Sequence, residues 1–413
     1  MKKSYLMIAA TIALLTSCAG NDTLNKESLN EQQAIGFATF SQKVTKAENS
    51  LETAKLSLIN HHPTFSVWGY KDVQSTYVFG TSTTVGQKVE GTAGSPAVLY
   101  ADAAEYNAAK GTSLDETQFA NLDDAEKIKT PAVDEKWEYT PVRFWDKNSN
   151  YYEFYAAAPE TTADPKWTLN ANTADFADDY FTLGPVVLSN STLTSTSYVE
   201  SMKDQSNIDY MIASSKNVAN AQYGSNPVQI EFNHILSRLN ITVKKGDNLT
   251  AAGDAGKLAI VKLEVRDMIS TGSFNENTVT DANTLMGGTP NRWTRTDATV
   301  TYEGNANADV TDKVFLLQSL IIPQVAGYEG INRDGTSTET KPYIYIEYTI
   351  GTTAPETYKA YYNLSAVFAE TTGVEFNEGW QNTLNITIDA DIINFDPQVF
   401  KWDDGPSNNF EIN

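Results

Sequence analysis

The amino-acid sequence predicts an all-β protein with two consecutive β-sandwich domains and short helical insertions. Apolar and polar residues alternate along several short stretches, and this period of two is typical of strands with one buried face. Two aromatic stretches, 137–145 and 151–159, flank a polar turn at 146–150, which predicts a β-hairpin. A chain of 413 residues is too long for one small core, so about two or three domains are expected.

The start of the chain predicts an exported lipoprotein. Lys2 and Lys3 precede an apolar stretch, 5–15, that is too short to span a bilayer as a mature helix, so residues 1–17 are predicted to be a signal peptide. The sequence Leu15-Thr16-Ser17-Cys18 is similar to a bacterial lipobox, where the signal is removed before the cysteine and that residue receives acyl chains such as palmitate. Cys18 is the only cysteine, and a free thiol is unusual in an exported protein. The alternative is a chance cysteine behind a signal.

The acidic composition of the chain makes some classes of binding partner unfavourable. The chain has 30 Lys and Arg residues against 52 Asp and Glu residues, which gives a formal net charge of -22 at pH 7. Such a charge disfavours nucleic acid and anionic membranes as partners. Residues 18–33 are predicted to be a polar tether. No later segment is apolar enough to span a membrane, so attachment to the outer membrane is expected through the lipid alone.

Two helices are predicted within this strand-rich chain. Ser95 as N-cap and Pro96 at the first helical position predict a helix that ends at Lys110, before Gly111. The capping-box pattern Ser113-Leu114-Asp115-Glu116 predicts a second, shorter helix. These helices are expected to form an insertion at one edge of a sheet.

One stretch, 228–243, is predicted to be the central strand of the protein. Apolar residues occupy the even positions over 228–232 and the odd positions over 239–243. The inward-facing side therefore changes by one residue between His234 and Arg238, which predicts a bulge or a single helical turn there. The stretch is interpreted as one long, kinked core strand.

This stretch also carries a resemblance to a known family. The pattern Phe232-x-His234-x-Leu236-x-Arg238-Leu239, followed by an alternating strand, resembles a segment of the fimbrillins, the lipoprotein subunits of type V pili. The aromatic region 137–159 and the segment 208–213 resemble further fimbrillin segments, and the second half does so less specifically. The resemblance implies two transthyretin-like Greek-key sandwiches. The flexible segment 245–256 suggests their boundary, which gives domains at 34–246 and 257–413.

The resemblance implies that the precursor is trimmed before assembly. Ile35 and Phe37 alternate with small residues, which predicts a weak first strand at 34–40. Thr45-Lys46-Ala47 resembles the short segment at which a trypsin-like protease cuts fimbrillins, and Lys43 is the neighbouring alternative. A cut between Lys46 and Ala47 would separate the first strand from the rest of the chain.

The implied function is that of a structural subunit in a surface fimbria that supports adhesion or biofilm. Its partners would be other pilin subunits, the maturation protease and a host or bacterial surface ligand. A strand from a neighbouring subunit would fill the groove that the first strand leaves. The candidate donor residues are apolar residues near the C-terminus: Ile393, Phe395, Val399, Phe400, Trp402, Phe410 and Ile412. Shaft and tip subunit both stay open, because a tip accepts a strand without donating one.

No catalytic motif, metal motif or cofactor motif competes with this interpretation. His61 and His62 lack a third ligand within motif spacing, and Pro63 predicts a solvated turn there. His234 is predicted to be a hydrogen-bonded structural histidine within the central strand rather than a general base. The rival function is a monomeric surface lipoprotein that binds glycans, since 7 Trp and 21 Tyr could stack on sugar rings.

Overall fold

The structure is a computed structural model. It describes residues 34–41, 62–71, 77–93, 97–123, 126–130, 136–146, 149, 151–161, 166–170, 179–190, 207–219, 227–277, 292–296, 298–305, 308–311, 314–326, 342–352, 355–364, 374–389 and 393–401.

Strands dominate the described residues. Those of the first half are β1 (Phe37–Ser41), β2 (Thr64–Lys71), β3 (Gln87–Thr92), β4 (Val98–Leu99), β5 (Ile128–Thr130), β6 (Lys136–Glu138), β7 (Tyr151–Ala158), β8 (Trp167–Asn170), β9 (Tyr180–Val187), β10 (Met211–Ala219), β11 (Val228–His234) and β12 (Ser237–Lys245). Those of the second half are β13 (Leu258–Ile269), β14 (Thr271–Asn275), β15 (Trp293–Arg295), β16 (Thr299–Glu303), β17 (Ala308–Val310), β18 (Val314–Ile321), β19 (Gln324–Ala326), β20 (Tyr343–Ile350), β21 (Glu356–Asn363), β22 (Val374–Phe376), β23 (Trp380–Ile388) and β24 (Ile393–Lys401). The helices are α1 (Ala103–Lys110), α2 (Glu116–Ala120) and α3 (Asp247–Ala251), with a 3-10 turn at Gly253–Gly256.

The first sandwich is built on a seven-stranded sheet. Its order is β1-β11-β10-β7-β2-β3-β6, and β1 runs parallel to β11 while all other neighbours are antiparallel. A four-stranded sheet, β15-β14-β9-β8, packs on one face. The core between them holds Trp68 and Tyr155 from the large sheet and Trp167 and Phe181 from the small one. Apolar side chains on the opposite face of the large sheet form a second core, which includes Phe65, Phe154 and Phe232.

The second sandwich consists of two sheets, one of which combines β12 with strands from the second half of the chain. One sheet has the order β18-β12-β23-β24, in which β12 and β23 are parallel. The other has the order β16-β13-β20-β21, and β17 also pairs with β13. Leu239, Ile241 and Val243 of β12 face the shared core together with Leu263 and Ile346 of the opposite sheet. The all-β prediction is thereby confirmed, whereas the transthyretin-like topology stays a prediction.

The central stretch passes from one sandwich to the other. Val228, Ile230 and Phe232 are buried in alternation along β11, as predicted. The predicted change of face occurs at Ile235 and Leu236, which are fully buried and lie between β11 and β12. The residues form neither a helical turn nor one continuous strand. Instead, β11 belongs to the first sandwich and β12 to the second.

Strand pairing crosses the domain boundary that was predicted at 246–257. Strand β12 lies within the predicted first domain, yet it pairs with β18 and β23 of the second. Strand β14 lies within the predicted second domain, yet it pairs with β9 of the first. The physical reason is that a strand pairs according to sheet register and not according to its position before or after the segment of α3 and the 3-10 turn.

Two local predictions need correction. The aromatic stretches of the predicted hairpin do not pair, because β6 pairs with β3 while β7 pairs with β2 and β10. The stretches contact each other through side chains instead, with the ring of Trp145 4.8 Å from that of Tyr152 and 6.2 Å from that of Phe154. The first helix begins later than predicted: Val98 and Leu99 form β4, and Asp102 is the N-cap.

The helical insertion otherwise agrees with the sequence pattern. Helix α1 ends at Lys110, and Gly111 adopts the left-handed conformation beyond it, as predicted. Helix α2 exists, but its capping box is formed by Asp115 and Gln118 and not by Ser113. In sequence, both helices lie between β3 and β6, and these two strands end the pairing order of the seven-stranded sheet that begins with β1.

We expect Leu236→Ala to lower the free energy of unfolding by about 2–5 kcal/mol, because it leaves a cavity in a fully packed site. Leu99→Ala is the matched control, since Leu99 is 43% exposed and its loss should cost no more than about 0.5 kcal/mol. Denaturant unfolding followed by tryptophan fluorescence measures both. Equal losses in the two variants would contradict the central role of the crossing.

Candidate functional site

The first strand is bound through its backbone on two sides. On one side, residues 37–41 pair in parallel register with 228–232, and the Val228 amide donates to the Gly36 carbonyl at 2.8 Å. On the other side, the Ile35 amide donates to the Arg143 carbonyl at 2.9 Å, and Ala34 forms an antiparallel bridge with Phe144. The residues that follow β6 therefore pass alongside the start of the first strand and pair with it on the side opposite β11.

Apolar side chains also hold the first strand in place, because Ile35 and Phe37 pack into the core on one face of the seven-stranded sheet. Ile35 is 1% exposed and Phe37 is 5% exposed. The ring of Phe37 lies 5.3 Å from that of Phe79, 5.6 Å from that of Tyr139 and 5.7 Å from that of Phe154, between ring centroids. Most of these contacts have the edge-to-face geometry that aromatic pairs favour.

Tyr139 connects the two kinds of contact. Its ring packs on Phe37, and its hydroxyl donates to the Ile35 carbonyl at 2.6 Å. Burial raises the pKa of Tyr139, so the phenol keeps its proton and acts as a donor at neutral pH. We call the space that β1 occupies, between β11 and residues 139–144, the first-strand slot. Pattern reasoning found Ile35 and Phe37, but it could not find Tyr139, whose contact with them depends on the returning chain.

The predicted donor residues lie partly within the described chain. Ile393 and Phe395 are in β24, an edge strand that pairs with β23 from Ile393↔Ile388 to Lys401↔Trp380. Both side chains pack at the margin of the core of the second sandwich, and the Phe395 ring is 4.7 Å from that of Tyr362.

Other predicted residues lie beyond what the structure describes. Val399 and Phe400 fall within β24, but their side chains are not among those described. Outside the described residues altogether are Cys18, Lys43, Lys46, Ala47, Trp402, Phe410 and Ile412.

A buried ionic cluster lies at one end of the seven-stranded sheet, just before β2 and β10 begin and where β11 ends. His234 Nδ1 is 2.8 Å from Asp209 Oδ2, and His62 Nε2 is 3.9 Å from the same oxygen. The prediction of a hydrogen-bonded His234 agrees with this geometry. The predicted solvated turn at His62 is wrong, because this side chain is 8% exposed. Pattern reasoning missed Asp209, whose partners are far from it in sequence.

The electrostatics of the cluster favour an ionised aspartate. Burial of the carboxyl opposes ionisation, but the charge and hydrogen bond of His234, with a further contribution from nearby His62, outweigh it and lower the pKa of Asp209 below its usual range. The part of the chain that the structure describes contains no group of three or more His, Cys, Asp or Glu placed to hold a metal ion. Among the same residues, no helix is long and apolar enough to cross a membrane.

A family model described as fimbrillin-like matches residues 106–402, which is most of the chain. The protein belongs to the fimbrillin-like family. The match begins within α1 and includes the crossing between β11 and β12, whereas β1, β2 and β3 precede it. Membership in this family makes the chain a fimbrial protein of the cell surface.

Solved structures that match the chain include fimbrial proteins. One, a fimbrial protein from Bacteroides vulgatus, has 15% identity and a TM-score of 0.46, with 89% of this chain and 99% of that chain covered. Another is the tip fimbrial protein Mfa3 from Porphyromonas gingivalis with a C-terminal truncation, at 9% identity and a TM-score of 0.36, with 90% and 100% covered. No curated protein matches the chain.

We expect Asp209→Asn to destabilise this fimbrillin at neutral pH by about 1.5–3 kcal/mol, the usual range for a hydrogen bond to a charged group. Because the native pKa is depressed, the unfolded state binds a proton first as the pH falls, so the stability from Asp209 is present above about pH 4 and lost below it. The variant should therefore show a flatter decline in stability on acidification. Unfolding curves from pH 7 to pH 3 measure this.

The matched control is Asp309→Asn, which removes a surface ion pair with Lys257 at 2.9 Å. Both partners are largely exposed, so the effect should stay below about 1 kcal/mol with no change in acid slope. The same acid slope in wild type and Asp209→Asn would contradict the assignment.

Proposed function

We propose that this chain is a structural, non-catalytic subunit of a surface fimbria, assembled by donor-strand addition after its first strand is released. The observation that supports the proposal is the placement of β1. It lies at the start of the described chain, is short, and fills a slot whose two walls come from distant parts of the sequence.

Removal of β1 would leave a surface that another strand can pair with. The backbone of β11 would lose its parallel partner, and the Arg143 carbonyl would lose the Ile35 amide. Apolar pockets around Phe79 and Phe154 would be uncovered at the same time. An extended segment with alternating apolar residues satisfies both needs, which is the basis of strand addition to a sheet edge.

The proposed maturation follows from the order of the segments. Lipid on Cys18 would hold the precursor at the outer membrane, and Lys46 follows closely after Ser41, the last residue of β1. A cut between Lys46 and Ala47 would thus separate lipid and β1 from the body in one step. A trypsin-like protease would supply the cut, with Lys43 as the alternative site.

The C-terminal segment is the proposed donor. Strand β24 is an edge strand, so it can leave with the loss of one neighbour, β23. The residues after it add Trp402, Phe410 and Ile412. Donation by this segment would make the protein a shaft subunit, and acceptance without donation would make it a tip. The rival glycan-binding function gains little support, because Trp68, Trp167 and Trp293 are buried.

We expect N-terminal sequencing of surface polymers to find Ala47 as the first residue. A Lys43→Ala, Lys46→Ala double variant should accumulate the precursor and lose the ladder of polymers on unheated gels. Lys110→Ala, an exposed lysine at the end of α1, is the control and should assemble normally. Intact, acylated Cys18 on most surface copies would contradict release and indicate an anchor or a plain lipoprotein.

We expect truncation after Trp402 to abolish polymers while the monomer stays folded, if the tail donates the strand. The variant is compared with wild type by unheated gel electrophoresis and by thermal unfolding of the monomer. Unchanged polymers would remove residues 403–413 as the donor and favour the tip subunit.

A further inference from the structure

The outward face of the second sandwich carries an aromatic patch on three neighbouring strands. Along β20, Ile344 and Ile346 face the core, so the residues that alternate with them face outward. The register of β13, β20 and β21 places the outward residues of the three strands side by side. We call this set the tyrosine patch. Its members are Lys262, Glu264 and Arg266 of β13, Tyr343, Tyr345 and Glu347 of β20, and Lys359, Tyr361 and Asn363 of β21.

Side chains of the patch pack on one another across the strands. The Tyr345 ring lies between the Tyr361 ring, 4.9 Å away between centroids, and the Arg266 guanidinium, 4.9 Å from the Tyr345 centroid. Arg266 Nη1 also donates to the Tyr343 hydroxyl at 2.9 Å. Tyr343 and Tyr345 are only 9% and 5% exposed although they face outward. They form a fixed base beside Tyr361, whose half-buried ring is the part that a ligand can reach.

Packing of the core does not account for these tyrosines. Among the described residues, the core of the second sandwich includes Tyr302 and Tyr348 but none of the tyrosines of the patch. Tyr343, Tyr345 and Tyr361 lie on the opposite face of their sheet, which in an antiparallel sandwich is normally polar. Tyrosine and arginine grouped on such a face are typical of a binding surface.

The rim of the patch supplies hydrogen-bonding groups of both kinds. Lys359 is 56% exposed, and its Nζ is 3.7 Å from Glu347 Oε2, which is longer than a hydrogen bond. Glu347 Oε2 also accepts from the Tyr345 hydroxyl at 2.5 Å. On the far side, Lys262 is 45% exposed and its Nζ lies 2.5 Å from Glu264 Oε1. Donors and acceptors therefore surround an aromatic centre.

The size and charge of the patch indicate the class of ligand. Three strands and five residues along each cover roughly 130 Å² at the usual strand spacings. Each partner in a stable protein–protein interface buries about 800 Å², so the patch suits a small ligand. Its three cations and two carboxylates nearly balance, which favours a neutral ligand. A pyranose ring presents C–H groups to an aromatic face and hydroxyls to a polar rim, so it matches both parts.

We propose that the tyrosine patch binds a neutral glycan, with one pyranose ring stacked on Tyr361 and its hydroxyls bound by Lys359 and Glu347. The proposal rests on the proposed function, because a surface fimbria presents the patch to glycans on other cells, and it adds a ligand class for adhesion. Tyrosine takes the stacking role for which the buried tryptophans are unsuited. The patch includes neither the first-strand slot nor β24, so binding does not require assembly.

The test measures retention of the full-length, monomeric precursor on beads that carry lactose, cellobiose, mannobiose or diacetylchitobiose. Tyr361→Ala should weaken binding about tenfold or more, because loss of a stacked ring and its buried apolar area corresponds to at least that change in affinity. Tyr361→Phe keeps the ring and should retain most of the binding. Tyr180→Ala is the matched control, since Tyr180 is a half-buried tyrosine of β9 in the first sandwich, and it should bind as wild type does.

Thermal unfolding checks that each variant is folded. Lys359→Ala changes an exposed side chain and should also weaken binding, so it serves as the test if Tyr361→Ala does not fold. The inference is overturned if wild type is retained on none of the four sugars, or equally on albumin-coated beads. Binding by Tyr361→Ala and Lys359→Ala equal to that of wild type would overturn it as well.

Polymers on unheated gels of surface material are scored separately. Normal polymers from wild type without retention on any sugar would overturn the inference while the proposed function stands. Retention that depends on Tyr361 without any polymers would refute the proposed function and support the patch as a glycan site of a monomeric surface protein.

Discussion

The fold depends on one buried crossing, at which the chain leaves the first sandwich at His234 and enters the second at Ser237. Its backbone groups are satisfied by three separate parts of the protein. The Ile235 amide donates to the Tyr210 carbonyl, Trp293 Nε1 donates to the Ile235 carbonyl at 2.9 Å, and the Gly379 amide donates to the Leu236 carbonyl at 2.9 Å. Unpaired polar groups at such depth would be costly, so the crossing holds all three parts in register. Gly379 has a φ of 64°, a conformation that suits glycine, so its amide can make this contact.

Sequence patterns predicted what depends on local periodicity. The alternation over 228–243 located the change of face at the residues where the chain crosses. Lys110 and Gly111 likewise located the end of α1. The patterns could not predict which strand each stretch pairs with, because pairing depends on partners far away in sequence. For this reason the two aromatic stretches around 146–150 were predicted to be a hairpin, whereas β7 pairs with β2 and β10.

In the candidate site, too, local periodicity was predictable from the sequence and long-range contacts were not. Ile35 and Phe37 were identifiable because their side chains alternate with small residues. The second wall of the slot was not, since the residues from Tyr139 to Phe144 lie in irregular chain with no period to detect. The Asp209 cluster could not be predicted either, because His62, Asp209 and His234 come together only when the seven-stranded sheet assembles. Functional geometry in this protein thus arises mainly from tertiary contacts between strand ends.

The parallel pairing of β1 with β11 has a kinetic consequence. Phe37 pairs with Val228, so docking of β1 closes a loop of about 190 residues, and a loop of that length forms slowly compared with local hairpins. The β11 wall of the slot cannot form before residues near 228 have been synthesised and folded. Each newly folding molecule therefore passes through a stage in which the body exists and β1 has not yet docked. The covalent connection to β1 raises its effective concentration at the slot, and this intramolecular advantage favours β1 there over a strand from another molecule.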